Sequence, residues 1–83
     1  MKNTQFIDCI LKEANFTETD LTKSVFRICD LSNTIFDRTN LSNADLLTSY
    51  NFSIDPELNK LKKAKFSYQS LSGLLYKYDI IIE

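Results

Sequence analysis

The side chains that bear most directly on chemistry in this 83-residue chain are two cysteines, a scatter of carboxylates and a run of lysines. There is no histidine, so the commonest general base and the commonest metal ligand are missing. Ser/His/Asp and Cys/His nucleophile systems go with it. A single glycine leaves no room for a Gly-rich loop around a phosphate. Cys9 and Cys29 are the only thiols, too few for a structural zinc site. No catalytic, cofactor-binding or metal-binding residue is expected, and an enzyme is not the expected class.

What must position these residues is written in a count of five. From Phe6 to Leu46 a Leu or Phe falls on every fifth residue: Phe6, Leu11, Phe16, Leu21, Phe26, Leu31, Phe36, Leu41 and Leu46. Two residues before each stands a small one: Thr4, Cys9, Ala14, Thr19, Ser24, Cys29, Thr34, Thr39 and Ala44. A helix repeats every 3.6 residues and a strand every 2, so a step of five keeps one face in neither. All nine large residues share one interior only if the chain turns steadily every five residues and rises as it turns. Short self-similar periods of this kind are the signature of stacked solenoids.

The units Ala14-Asn15-Phe16, Thr19-Asp20-Leu21, Thr39-Asn40-Leu41 and Ala44-Asp45-Leu46 resemble the pentapeptide-repeat family, whose usual unit is A(N/D)LXX. Cys29-Asp30-Leu31 matches a common variant. The resemblance implies an all-β solenoid: a right-handed quadrilateral parallel β-helix with four pentapeptides per coil, here a little over two coils. Residues twenty apart then share a column. The columns are Phe6/Phe26/Leu46, Leu11/Leu31, Phe16/Phe36 and Leu21/Leu41, with Phe on two opposite sides and Leu on the other two. Small residues such as Cys9, Cys29, Ala14 and Ala44 are needed in the inward columns because a larger one would overpack a narrow coil.

In that frame Cys9 and Cys29 lie one coil apart, with Cα atoms about 5 Å from each other. Parallel side chains in one ladder do not present the usual disulfide dihedral, so two buried free thiols acting as small hydrophobes are expected. Glu18 and Arg38 should face each other across coils. Asp20, Asp30 and Asp45 precede the central residue, where Asp and Asn bond locally to backbone.

The unbroken count stops after Leu46, and Phe52 marks a slip of one residue. Residues 1–53 are read as the β-helix and 54–83 as a C-terminal cap, within one domain. Asp55-Pro56-Glu57 reads as a turn into a short helix, with Asp55 as N-cap and Pro56 at the first helical position. Ala64-Lys65-Phe66 looks like one more repeat. Ser67 to Lys77 reads as helical, capped by Ser67 and weakened by Gly73, with Leu71, Leu74, Leu75 and Tyr78 on one face. Asp79 to Glu83, with Ile80, Ile81 and Ile82, reads as a final strand. The apolar surface of this cap exceeds what closes a narrow coil, so a homodimer through the cap is expected. The tail, from Ile54-Asp55-Pro56 to Tyr78-Asp79-Ile80, also resembles Qnr-like bacterial members of the family, which implies the same dimer.

Ten basic residues against eleven acidic ones argue against a general polyanion binder. Direct nucleic-acid binding is therefore not expected. The Lys60, Lys62, Lys63, Lys65 run reads as a phosphate contact or, better, as the solvated side of the cap, since Asp55, Glu57 and Asp79 are nearby in sequence. No apolar run approaches a membrane span and no signal peptide is evident, so no membrane partner is expected and the location is read as cytoplasmic. Nothing before Phe6 looks like a cap, which favours a piece of a longer solenoid or an assembly covering that end. Ile7, Val25, Ile28 and Leu47 project outward from one side, as a contact surface or as ordinary scattered apolar residues. The functional expectation is a non-enzymatic interaction protein. The resemblance implies its concrete form: a DNA-mimicking protein that binds type II topoisomerase (gyrase) and gives fluoroquinolone resistance or toxin immunity. The alternative is a structural or scaffold domain with no topoisomerase target.

Overall fold

A computed structural model describes residues 2–81. Four short strands, β1 (Gln5–Ile7), β2 (Val25–Arg27), β3 (Asp45–Leu46) and β4 (Lys65–Phe66), form one parallel sheet in the order β1-β2-β3-β4. The register is a constant twenty: Phe6 pairs with Phe26, Val25 with Asp45 and Leu46 with Phe66. The other three sides repeat the same step as single bridges, Ile10 to Asp30, Asn15 to Ile35 and Asp20 to Asn40. The chain is thus a four-sided coil. It runs on beyond the unbroken count, because Lys60 bridges Asn40 and β4 pairs with β3.

The interior follows the five-residue step. Leu21, Phe26, Leu31, Leu41 and Leu46 are wholly buried, and Phe16 and Phe36 nearly so. Phe6 and Leu11, in the first coil, are half-buried against them. Phe6 stacks on Phe26 with ring centroids 4.8 Å apart, and Phe16 on Phe36 at 5.6 Å. The two stacks meet edge to face, Phe16 against Phe26 at 6.2 Å. Both arrangements suit the ring quadrupole.

The small inward residues do more than save space. Thr34 Oγ1 donates to the carbonyl of Leu11 at 2.8 Å, Thr39 Oγ1 to Phe16 at 2.7 Å and Ser49 Oγ to Phe26 at 2.7 Å. Cys29 Sγ donates to the Phe6 carbonyl at 3.2 Å. Each bond runs from one coil to the carbonyl of a central residue in the coil before it. Outside, the carboxylates of Asp20, Asp30 and Asp45 accept the backbone N–H two residues on, at 3.0 Å each. The corners turn through left-handed residues, among them Asn3, Asp8, Glu13, Asn33 and Asn43. Asn and Asp tolerate that conformation best among non-glycine residues.

Between Leu46 and Lys60 the coil departs from its template and rejoins it in register. Phe52 and Ile54 turn inward in place of Asn51. The sequence around Pro56 forms a single turn rather than a helix: the Leu58 N–H reaches the Asp55 carbonyl at 3.2 Å. Asp55 does accept the Glu57 N–H, at 2.9 Å, as a capping residue would. The chain must return to the ladder at Lys60, which leaves no length for further helical turns. Asn59 and Leu61, absent from the sequence-based core, fall twenty residues after Thr39 and Leu41 and take up the same columns.

The helical segment is also shorter than its pattern. It is three pieces: a 3₁₀ turn over Tyr68–Ser70, α1 (Ser72–Leu75) and a second 3₁₀ turn over Tyr76–Tyr78. Ser67 caps the first by accepting the Gln69 N–H at 3.2 Å. Gly73 is there for close approach: a Cβ on it would stand 2.5 Å from the Phe52 ring and carbonyl. Its own carbonyl accepts the Ile54 N–H at 2.8 Å. Residues 79–81 do not form a strand. Asp79, left-handed at φ 50°, turns the chain after the last 3₁₀ turn, and Ile80 and Ile81 lie exposed. Ile82 and Glu83 lie outside the described residues.

Asn59 is the most heavily committed polar side chain in the interior. Its Oδ1 accepts the Thr39 N–H at 2.9 Å, and its Nδ2 donates to the carbonyls of Phe36 at 3.0 Å and Asp55 at 2.9 Å. Asn59→Ala strands two buried backbone groups, and each such group costs about 1–3 kcal/mol. The expected outcome is a loss of about 2–4 kcal/mol in a urea unfolding curve. A loss below about 0.5 kcal/mol shows that the corner recloses on itself.

Candidate interaction surfaces

With the interior filled, function falls to the outside of the prism. One edge of it is apolar. Ile7 and Leu47 follow the centre of the side that carries β1–β4, with Arg27 between them in the same column. Ile10 and Tyr50 precede the centre of the next side and are joined through Asp30. Ile28 sits at the corner between the two sides, half exposed at 51%. Val25, on the far side of Phe26, is half-buried within β2. Ile10 and Tyr50 are additions to the sequence-based set, and their signal was the same twenty-residue column.

Ile28 is the anomaly of this edge. Its φ is 53°, in the left-handed region, where a β-branched side chain is strained. Every other corner residue in that conformation is unbranched at Cβ. The Ile28 N–H donates to Thr48 Oγ1 of the next coil at 3.0 Å, which holds the corner in place.

The edge runs into a second surface. Tyr50 and Phe52 form one wall of an open cleft of about 600 Å³, and Gly73, Leu75, Tyr76 and Ile80 form the other. No charged residue lines it. Of the expected cap residues, Leu74 packs against the core and Leu75 is half-buried, whereas Leu71, Tyr78, Ile80 and Ile81 are exposed, Ile81 at 87%. Ile82 lies outside the described residues.

A clasp fixes this cap to the coil. Lys77 Nζ lies 3.1 Å from Asp55 Oδ1 and also pairs with Glu57 Oε1. The Tyr78 hydroxyl donates to the same Glu57 oxygen at 3.0 Å. Asp55 is held below the ordinary carboxylate range first by the Glu57 N–H and then by Lys77. Glu57 is lowered by the bonds from Lys77 and Tyr78, and Lys77 is raised by both carboxylates. Other pairs are looser: Arg38 lies 3.4 Å from Glu18 and Lys2 3.6 Å from Asp20, all largely exposed.

The cysteines are both free. Cys29 is wholly buried, and burial pushes its thiol up. Cys9 is only half-buried, which corrects the expectation of two buried thiols; among the described residues no coil lies beneath it. Among the described residues no group of three or more His, Cys, Asp or Glu side chains could hold a metal ion, and no helix is long and apolar enough to cross a membrane.

The model of the family described as pentapeptide repeats matches residues 1–36 and 26–46, with eight copies of the repeat. The chain belongs to the pentapeptide-repeat family. Its coil is accordingly the right-handed quadrilateral β-helix of that family. Among solved structures it is similar to the pentapeptide-repeat protein Rfr23 from the cyanobacterium Cyanothece 51142, at 17% identity and a TM-score of 0.58 over 84% of this chain and 44% of that one. Two trypsin-treated variants of QnrB1, a plasmid-mediated fluoroquinolone resistance protein, align at 20% identity and a TM-score of 0.48, over 99% and 100% of this chain and 45% and 47% of theirs. The pentapeptide-repeat chain therefore spans less than half the length of these structures. No curated protein matches it in sequence.

Two predictions follow from the clasp and the thiols. The depressed carboxylates contribute stability that is complete above their ordinary values of 3.8 and 4.5 and is lost as pH falls through the lowered ones. The protection factor of the Ile54 amide, which reports cap docking through Gly73, should fall between pH 5 and pH ~2.5 in the wild type. In Lys77→Met it should already be reduced at pH 5 and depend less on acid. Equal pH profiles would show that the clasp does not hold the cap. In thiol titration, Cys9 should react in the folded protein and Cys29 only on unfolding; two fast thiols would contradict the buried position of Cys29.

Proposed function

We propose that this pentapeptide-repeat chain is a non-enzymatic interaction protein that presents a rigid prism edge to another macromolecule. The observation that carries the reading is the strained Ile28 at the centre of an apolar edge. A left-handed corner accepts Asn or Asp at lower cost, so a β-branched residue held there, half exposed, costs folding stability. Strained residues of this kind cluster where a surface has a task, and apolar residues gathered on one edge serve a contact.

The finer form of the proposal is that the partner is a type II topoisomerase such as gyrase, bound by a rod that imitates duplex DNA, with fluoroquinolone resistance or toxin immunity as the consequence. The resemblance of Ile54–Phe66 and Leu71–Glu83 to Qnr-like tails supports it. The chain acts as a homodimer through the exposed residues of its cap, with Ile80 and Ile81 beside the uncharged cleft at the interface. The two free thiols suit a reducing cytoplasm.

A gyrase supercoiling assay with ciprofloxacin tests the partner. The protein should restore supercoiling in a dose-dependent way, and Ile28→Asn should raise the concentration needed for that effect about tenfold while raising thermal stability by about 1 kcal/mol. A protein without protection or inhibition at high molar excess is a scaffold domain with another target. An Ile28→Asn variant that is more stable and equally active removes the edge from the contact. Light scattering of the wild type beside Ile81→Asp tests the dimer, which a monomeric wild type rules out.

A further inference from the structure

The near-neutral charge of the chain conceals a polarity that the coil brings out. Lys60 precedes the centre of the fourth side and Lys62 follows it; Lys63 occupies the next corner and Lys65 opens the first side. Lys23 is at the same corner as Lys63 two coils earlier, and Lys2 is in the column of Lys62 three coils earlier. All six are exposed. The acids on this part of the prism are Asp20 and Asp45, each with an oxygen engaged by a backbone N–H, and Asp20 also pairs with Lys2 at 3.6 Å. Six lysines against two aspartates give a formal +4; the other described residues carry eight acids against four cations, a formal −4. Glu18, the nearest acid on the neighbouring side, is paired with Arg38.

We infer that this corner is a binding surface for the phosphate backbone of a nucleic-acid duplex, independent of the apolar edge. Three properties select that partner. First, all six cations are lysine and none is arginine. Lysine is a hydrated point charge on a flexible stem, suited to diffuse contact with a row of phosphates, whereas bidentate recognition of protein carboxylates favours arginine. Second, the residues between the lysines are short, Thr22, Asn40, Ser42 and Asn43, so the lysine stems stand clear of them, beside an open hollow that Asp20, Asn40 and Lys60 line with Arg38 and Leu58. Third, no aromatic residue lies among the lysines; the exposed tyrosines belong to the second side and the cap. Single-stranded nucleic acid is held by stacking on aromatic rings, which this side does not offer. Along the prism the charges in one column are two coils (Lys23 to Lys63) or three coils (Lys2 to Lys62) apart, about 10 and 14 Å at strand spacing. With nothing to read base edges, the binding is independent of sequence and driven by counterion release.

The test is fluorescence anisotropy of a labelled 20-base-pair duplex, titrated from 20 to 200 mM salt, with folding of each variant checked by circular dichroism. Displacement of four to six counterions gives a slope of log K against log salt between about −3.6 and −5.4. The double variant Lys62→Gln/Lys63→Gln should bind at least about tenfold more weakly at 50 mM salt, with a slope shallower by about two. Lys12→Gln, on the opposite side, should change affinity by no more than about twofold. No binding at 100 µM protein in 20 mM salt overturns the inference, and so does a double variant indistinguishable from Lys12→Gln. Tighter binding of a single strand, or equal competition by poly-glutamate, assigns the surface to a different polyanion. None of these outcomes depends on the gyrase assay.

Discussion

The coil depends on what happens to the carbonyl oxygens of its central residues. A large side chain turned inward every five residues carries its own carbonyl towards a corner of the coil. A buried acceptor left without a donor is costly. Some corners solve this within themselves, as where the Ser24 N–H returns to the Leu21 carbonyl at 3.0 Å. At others the next coil supplies the donor: Cys29 to Phe6, Ser49 to Phe26 and Asn59 to Phe36. The inward column must therefore be small and, at those corners, also a donor. Among the described residues no buried side-chain nitrogen or oxygen is left without a partner.

That requirement explains why the third coil can break its pattern without losing its place. Asn59 is larger than the Thr or Ser that usually fills the column, and its amide reaches the Phe36 carbonyl, the Thr39 N–H and the Asp55 carbonyl together. It anchors both the corner of the coil before and the turn around Pro56. Phe52 and Ile54 then supply the apolar volume, and Gly73 gives the cap a place to rest against them. The clasp of Lys77 on Asp55 and Glu57 closes the same turn from outside. One detour thus joins the coil to its cap.

Periodicity made most of the fold legible. The register of twenty, the Phe stacks, the Glu18–Arg38 pair and the local bonds of Asp20, Asp30 and Asp45 all follow from counting. What counting missed had nonlocal causes. Asn59 and Leu61 are back in their columns, but two intervening units without a large central residue hid the return. The segment Ser67–Lys77 has helical spacing, yet the Phe52 contact at Gly73 and the turn at Asp79 confine it to short pieces. A balanced total also says nothing of arrangement: the Lys60–Lys65 run is visible in the sequence, but that Lys2 and Lys23 join it at one corner is a property of the columns and not of the chain.

The constant register of twenty has a consequence for how the molecule forms. Every contact between coils closes a loop of the same length, at an entropic cost of about 2.7 kcal/mol plus a constant. The first pair of coils bears that cost with no template beneath it. Each later coil meets an edge already fixed in position, with the Phe stack and the waiting carbonyls to guide it. Assembly of this chain is therefore a single slow nucleation followed by growth along one axis, and the rate of folding belongs to whichever two coils close first.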